Sequence, residues 1–320
     1  MAGVFFLSLA LFAGAFIRGL QPVPYEGMPF YNLIFGSIHE FPVLNRLIAI
    51  ALLLILGNML IRIGVRYILL DFRSYMPAAF LLIFTVADPS VQQVSPALTG
   101  SMFFLFTYAI LFDSPDKKPD TFSVFSAGLV LALGSMFCLK LIWFIPLIWI
   151  SLGRLRQVTW RELVYPVIAY ALLALFLFTW FQVVEGDNRA FVELIRTNLE
   201  FNGAVKGGIV TSGLQYPVLA YYGFFLLLIF VASVYMINRF QSRKTVVQNI
   251  YQVLFYMFIA GILYFLFIDG DDLSSLVFIA FPVSFIMSNY FHRKKNHWMH
   301  ELILWVLIWL IAFNQFTVLS

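Results

Sequence analysis

Apolar residues run along this chain in long unbroken blocks, without the alternation that marks half-buried strands. The blocks fall at roughly 3–17, 44–61, 76–87, 96–112, 122–139, 141–153, 163–182, 214–238, 250–268, 274–290 and 302–317. Short polar stretches separate them. Blocks of this length with few charges read as helices, so about eleven are predicted. Several fall short of the ~20 residues that a full crossing of a bilayer needs. The block 76–87 and the pair 122–139 and 141–153 are therefore expected to be tilted, kinked or incomplete crossings. The predicted fold is all-α, a polytopic transmembrane helical bundle forming a single membrane domain over residues 1–320.

Composition agrees with the pattern. The chain is 62% hydrophobic, 18% aromatic and only 11% charged, with a mean hydropathy of +0.91. That excludes a soluble domain with a polar surface. In lipid every backbone polar group must be satisfied within the chain, and long continuous blocks do this as helices, not as a barrel. The first block ends near the small residues Ala13, Gly14 and Ala15 but lacks a basic start, so it reads as an uncleaved first helix. The single Cys138 has no intrachain partner and reads as a small packing residue.

The charges add a sidedness. Threading the chain through the predicted spans puts fourteen of the twenty lysines and arginines on one side: Arg62, Arg66, Arg73, Lys117, Lys118, Arg154, Arg156, Arg161, Arg239, Arg243, Lys244, Arg293, Lys294 and Lys295. Six fall on the other: Arg18, Arg46, Lys140, Arg189, Arg196 and Lys206. The richer side is predicted to be cytoplasmic, with the N-terminus cytoplasmic and the C-terminus periplasmic, in a bacterial inner membrane. Ten of the sixteen acids fall on the outer side. The net charge of +4 is thus accounted for by topology, with no nucleic-acid partner.

Two outer loops, 18–43 and 183–213, are long enough to be more than connectors. The first contains "FYNLIFGSIHEF", expected to form a short helix at the membrane interface. The second carries Phe191, Leu194, Ile195 and Leu199 at helical spacing beside Glu193, Arg196 and Glu200. A third short loop, "FLFIDGDDLSSL", holds Asp269, Asp271 and Asp272, and reads as a solvated acidic turn.

One cation interrupts an apolar run. In "GSMFCLKLIWFIPLIW", Lys140 stands between two short predicted helices. Either its alkyl stem reaches to the headgroup region and anchors the turn, or its ammonium binds an anionic ligand at that depth. The cluster "HRKKNHWMHE" sets His292, His297 and His300 beside Glu301. It suits a basic juxtamembrane segment better than a metal centre, and no metal or cofactor is predicted.

The run from "VLNRLIAIALLLILGNMLIR" through "SPALTGSMFFLF" to "FSAGLVLALGSMFCLKLIWFIPLIWISLGRLRQVTWRELVYPVIAY" resembles an uncharacterised family of Bacteroidetes inner-membrane proteins. More distantly, the order helix, break with lysine, short helix with proline and basic loop in "LVLALGSMFCLKLIWFIPLIWISLGRLR" is similar to the GT-C class of membrane glycosyltransferases. That resemblance implies a polyprenyl-phosphate-linked sugar as donor and a catalytic carboxylate in the first outer loop. Lys140 would contact the donor phosphate and Glu40 or Glu26 would act as base; by loop placement, Arg189 or Arg196 is expected to assist. The first outer loop reads "RGLQPVPYEG", with Glu26 displaced from the position directly after the first helix that the class favours. The competing expectations are a non-enzymatic subunit or scaffold of a cell-envelope assembly, and a transporter.

Overall fold

The structure is a computed structural model that describes Phe12 and residues 28–70, 74–86, 89–113, 121–155, 158–185, 188–199, 216–239, 244–270, 273–291 and 297–317. Among the described residues there are twelve α-helices and no strand. In chain order they are α1 (Pro29–Phe35), α2 (Pro42–Arg66), α3 (Met76–Thr85), α4 (Pro96–Phe112), α5 (Thr121–Ser135), α6 (Ile145–Leu155), α7 (Trp160–Trp180), α8 (Asn188–Leu199), α9 (Tyr216–Arg239), α10 (Thr245–Phe267), α11 (Val277–Phe291) and α12 (His297–Thr317). Every predicted apolar block from 44–61 onward is a helix. The first block lies outside the described residues, apart from Phe12. The two extra helices, α1 and α8, occupy the two long loops.

The starts of these helices follow local chemistry. Proline stands in the first turn of α1, α2, α3 and α4, where its missing N–H costs nothing and its fixed φ suits the helix. Ser95 caps α4, its hydroxyl accepting the Leu98 N–H at 3.1 Å. Helix α2 ends where Ile68 adopts a φ of 51°.

Among the described residues, four segments are long and apolar enough to cross a membrane: Pro42–Arg66, Trp160–Val183, Thr245–Phe267 and Leu273–Phe291. The helices 76–85, 96–112 and 122–135 are shorter, as their sequence blocks predicted. Helix α11 sits at the centre, with 83% of its apolar window buried against α3, α9, α10 and α4. Helix α7 is peripheral, with only 22% buried, and it packs mainly on α5. Its outer face carries Leu163, Val167, Leu172, Leu175 and Phe176, all exposed. An apolar face of that kind is suited to lipid, which solvates it as well as a protein core would.

Two ion pairs mark opposite ends of the bundle. Arg66, ending α2, meets Asp113, just after α4, at 2.8 Å, and the Tyr67 hydroxyl donates to the same carboxylate. Nearby, the Tyr251 hydroxyl donates to the Leu69 carbonyl. At the other end Lys140 meets Asp269, just after α10. Along α10 the rise from Tyr251 to Asp269 is about 27 Å at 1.5 Å per residue. That is close to the ~30 Å hydrocarbon thickness of a bilayer, so the polar groups fall where a membrane places its two surfaces.

Candidate functional site at the Lys140 end

The break that carries Lys140 is built by its neighbours. Helix α5 stops at Ser135 because the Phe137 and Cys138 N–H groups both turn back to the Gly134 carbonyl. Gly134 has no room for a side chain: a Cβ there would lie 2.7 Å from Phe103 and 2.9 Å from Leu141. Cys138 is extended, and Leu139–Phe144 form a 3₁₀ turn that leads into α6. Leu141 and Phe144 join the main core, while Leu139 packs in a smaller cluster with Met28, Met136 and Leu177. Phe30 next to α1's start and Leu194, Ile195 and Leu199 of α8 cover that cluster. Both surface helices therefore rest over the lysine-bearing break.

Lys140 Nζ lies 2.6 Å from Asp269 Oδ1, and each side chain is 17% exposed. The other carboxylate oxygen accepts from the Tyr264 hydroxyl at 3.3 Å. Tyr264 in turn stacks on Phe144 with ring centres 5.0 Å apart, and its hydroxyl is 3.9 Å from the Cys138 sulfur. The Asp269 backbone is held as well, its N–H donating to the Tyr264 carbonyl at 3.0 Å and its carbonyl accepting from Ser275 Oγ at 2.7 Å. A carboxylate just past a helix C-terminus faces the negative end of the helix dipole, which makes a cation beside it favourable. Asp269 is thus no solvated loop acid, as the sequence suggested. Asp271 and Asp272 lie outside the described residues.

A second polar group lies at the same end. Asn45, fully buried near the start of α2, accepts the Val94 N–H on Oδ1 at 2.7 Å. That fixes its amide, so Nδ2 donates to His39 Nδ1 at 3.0 Å. His39 Nε2 is then the protonated nitrogen, 3.0 Å from the Tyr31 hydroxyl, which donates onward to the Val94 carbonyl at 2.9 Å. Burial lowers the His39 pKa from its usual 6.5. Arg46, 6% exposed, and Gln92, 1% exposed, belong to the same end. Gln92 Nε2 donates to the Val86 carbonyl at 3.0 Å, while its Oε1 is buried without a hydrogen-bond partner. The 3₁₀ turn Pro89–Gln92 touches the turn Leu273–Leu276 that follows Asp269, so the two polar groups share one layer.

Among the sequence-predicted site residues, Lys140 is at this end and is paired with Asp269. Glu40 closes the 3₁₀ turn Gly36–Glu40 and is exposed. Arg196 is exposed on α8, and Arg189 lies in the first turn of the same helix. Glu26 lies outside the described residues, as does His292, while His297 and His300 begin α12. The residues that sequence reasoning missed are Asp269, Tyr264 and Gln92. A carboxylate directly at the end of an apolar block, as in "LFIDG", is the one signal that could have flagged Asp269.

An all-α bundle with two polar end layers set a bilayer apart, and an apolar outer face between them, is a helical membrane protein. The chain belongs to the family of unknown function DUF6427, whose model matches residues 27–320. No curated protein and no solved structure matches it.

Proposed function

We propose that the protein is a GT-C-like glycosyltransferase of a bacterial inner membrane, acting on a polyprenyl-phosphate-linked glycan at the periplasmic face. The observation that carries this reading is the position of Lys140. Its ammonium lies at one end of the helical bundle, part-exposed, in a helix break covered by two surface helices from the two long loops. An ammonium at that depth matches a lipid phosphate in charge and height. Arg196, exposed on the helix that covers the break, supplies a further cation, Arg189 of the same helix is a second candidate by sequence, and Glu40 or Glu26 is the carboxylate that would take the acceptor proton. The cytoplasmic N-terminus and periplasmic C-terminus belong to the same proposal and rest on the lysine and arginine distribution.

Native mass spectrometry of the detergent-purified protein, wild type beside Lys140→Ala, tests it. A polyprenyl phosphate that rides with the wild type and is lost from the variant supports the assignment. Its absence from both removes it.

One observation favours a second reading, a non-enzymatic envelope subunit. Lys140 already has a carboxylate partner, 129 positions away in sequence, and such a pair can serve only to join α5–α6 to α10–α11. On that reading exchanging the two charges, Lys140→Asp with Asp269→Lys, leaves the protein fully functional in its host.

A further inference from the structure

We propose that the Lys140–Asp269 ion pair is a displaceable latch: a phosphate headgroup at this end of the bundle takes the place of the Asp269 carboxylate on the Lys140 ammonium. The inference rests on the glycosyltransferase reading for the identity of the lipid, and it assigns to Asp269 a role in ligand binding.

Three features make the pair an exchange site. The partners are each 17% exposed, and when they separate Asp269 keeps the Tyr264 hydroxyl as a donor while the phosphate pairs with Lys140, so neither charge is left buried without a partner, the situation that is strongly destabilising. One charge-assisted contact to phosphate replaces the contact that the ammonium gives up.

The two partners also differ in freedom. Asp269 is pinned through its N–H to Tyr264, through its carbonyl to Ser275, and through its second carboxylate oxygen to the Tyr264 hydroxyl. When the ammonium leaves, Asp269 keeps these three contacts and stays in place. Lys140 reaches Asp269 from a short 3₁₀ turn on a four-carbon stem, and it is the member able to swing. It carries three N–H donors.

The surroundings, finally, suit an anionic lipid. The neighbouring Leu139 packs beneath α1 and α8, and the exposed flank of α8 presents Arg196. Arg196 thus adds a cation on the surface helix that rests over the break.

The latch has a consequence that a simple clamp lacks. The Asp269 carboxylate competes with the phosphate for Lys140 and repels it once bound. Removing that charge strengthens phosphate binding while it weakens the helix contact. The test uses the full chain in nanodiscs of phosphatidylethanolamine and phosphatidylglycerol, titrated with undecaprenyl phosphate and, separately, with inorganic phosphate. Asp269→Asn is expected to bind the lipid about tenfold tighter than wild type, and Lys140→Met is expected to lose it. Undecaprenol, which has the same chain and no phosphate, reports any uptake by a loosened bundle, so a gain by the Asn variant for the phosphate alone decides even if the Met variant is unstable. Wild type that binds the lipid beside an Asn variant that binds it equally or less tightly leaves the glycosyltransferase reading standing and overturns the latch. No lipid binding by either protein removes that reading and the latch together. The same tenfold shift with inorganic phosphate alone overturns the lipid as occupant and points to a soluble anion.

Discussion

Gly128 of α5 lies directly against the backbone of Pro166 on α7. A Cβ at Gly128 would stand 2.8 Å from Pro166 Cα and 3.3 Å from its Cβ, closer than side chains approach one another. In a bilayer, where lipid is as apolar as leucine, helices associate through such close approach of small residues. The contact matters more here because α7 is peripheral and has few other neighbours. Gly128→Leu is expected to destabilise the bundle by about 1–3 kcal/mol through overpacking. Thermal unfolding of the purified variant in detergent measures it. The same substitution at Gly153, where nothing stands within 4 Å, is the control and should leave the melting temperature within a degree or so of wild type.

A second prediction concerns the end of α2. Ile68 has a φ of 51°, a left-handed conformation that costs an L-residue roughly 1–2 kcal/mol and that β-branched side chains rarely adopt. Its side chain is 64% exposed, so little packing depends on it. Ile68→Gly is expected to stabilise the protein by about 1 kcal/mol or less, the relief being partly offset by glycine's greater freedom in the unfolded chain. Ile68→Val keeps the strain and should melt with the wild type. A Gly variant that melts lower would mean that the Ile68 side chain contributes packing that outweighs the strain.

The legible part of this molecule was its apolar blocks. Lipid leaves the backbone one simple solution, so the block pattern set the positions of α2 to α7 and α9 to α12. The surface helices α1 and α8 were legible too, because Leu194, Ile195 and Leu199 repeat at helical spacing and pack as that spacing implies. Partners across the sequence were not legible. Asp269 looked like one of three solvated acids, since nothing local distinguishes a carboxylate that will meet a lysine on another helix pair. Its pairing with Lys140 depends on α5 and α10 ending at the same height, a tertiary fact. Gln92 was missed for the same reason: burial of its Oε1 follows from the packing of two 3₁₀ turns. For Glu40 the loop was foreseeable but the exposure was not.

At the start of α7, Glu162 is fully buried and its Oε2 accepts the Thr159 N–H at 3.1 Å. This is the reaching-back half of a capping box, which satisfies a helix-end donor that would otherwise lack a partner. Glu162→Ala is expected to cost about 1 kcal/mol, and Glu162→Gln, which keeps an acceptor oxygen, less than half of that. Paired melting curves give the order. If Ala and Gln variants fall equally, the charge and not the hydrogen bond is what the site requires.

The last prediction follows from His39. Asn45 Nδ2 donates to its Nδ1, and the Asn45 amide is held in that sense by the Val94 N–H. A proton on Nδ1 would set two donors against each other, so the network works only with neutral imidazole. Burial acts in the same direction, lowering the pKa in the folded protein below 6.5. The unfolded chain then binds the proton more readily, and stability is linked to pH through that difference. The sign is definite: the contribution of His39 is fully present above about pH 6.5 and is lost as the pH falls from there through the lowered folded value. His39→Gln does not titrate and retains a side-chain oxygen that can accept from Asn45. Melting temperatures of both proteins from about pH 8 to about pH 5 are expected to diverge, the wild type losing more stability on acidification than the variant. Parallel curves would show that the acid sensitivity of this protein lies elsewhere, among its carboxylates. A steeper fall in the variant would mean that protonated His39 finds an acceptor in the fold, and that the Tyr31–His39–Asn45 network rearranges and does not break.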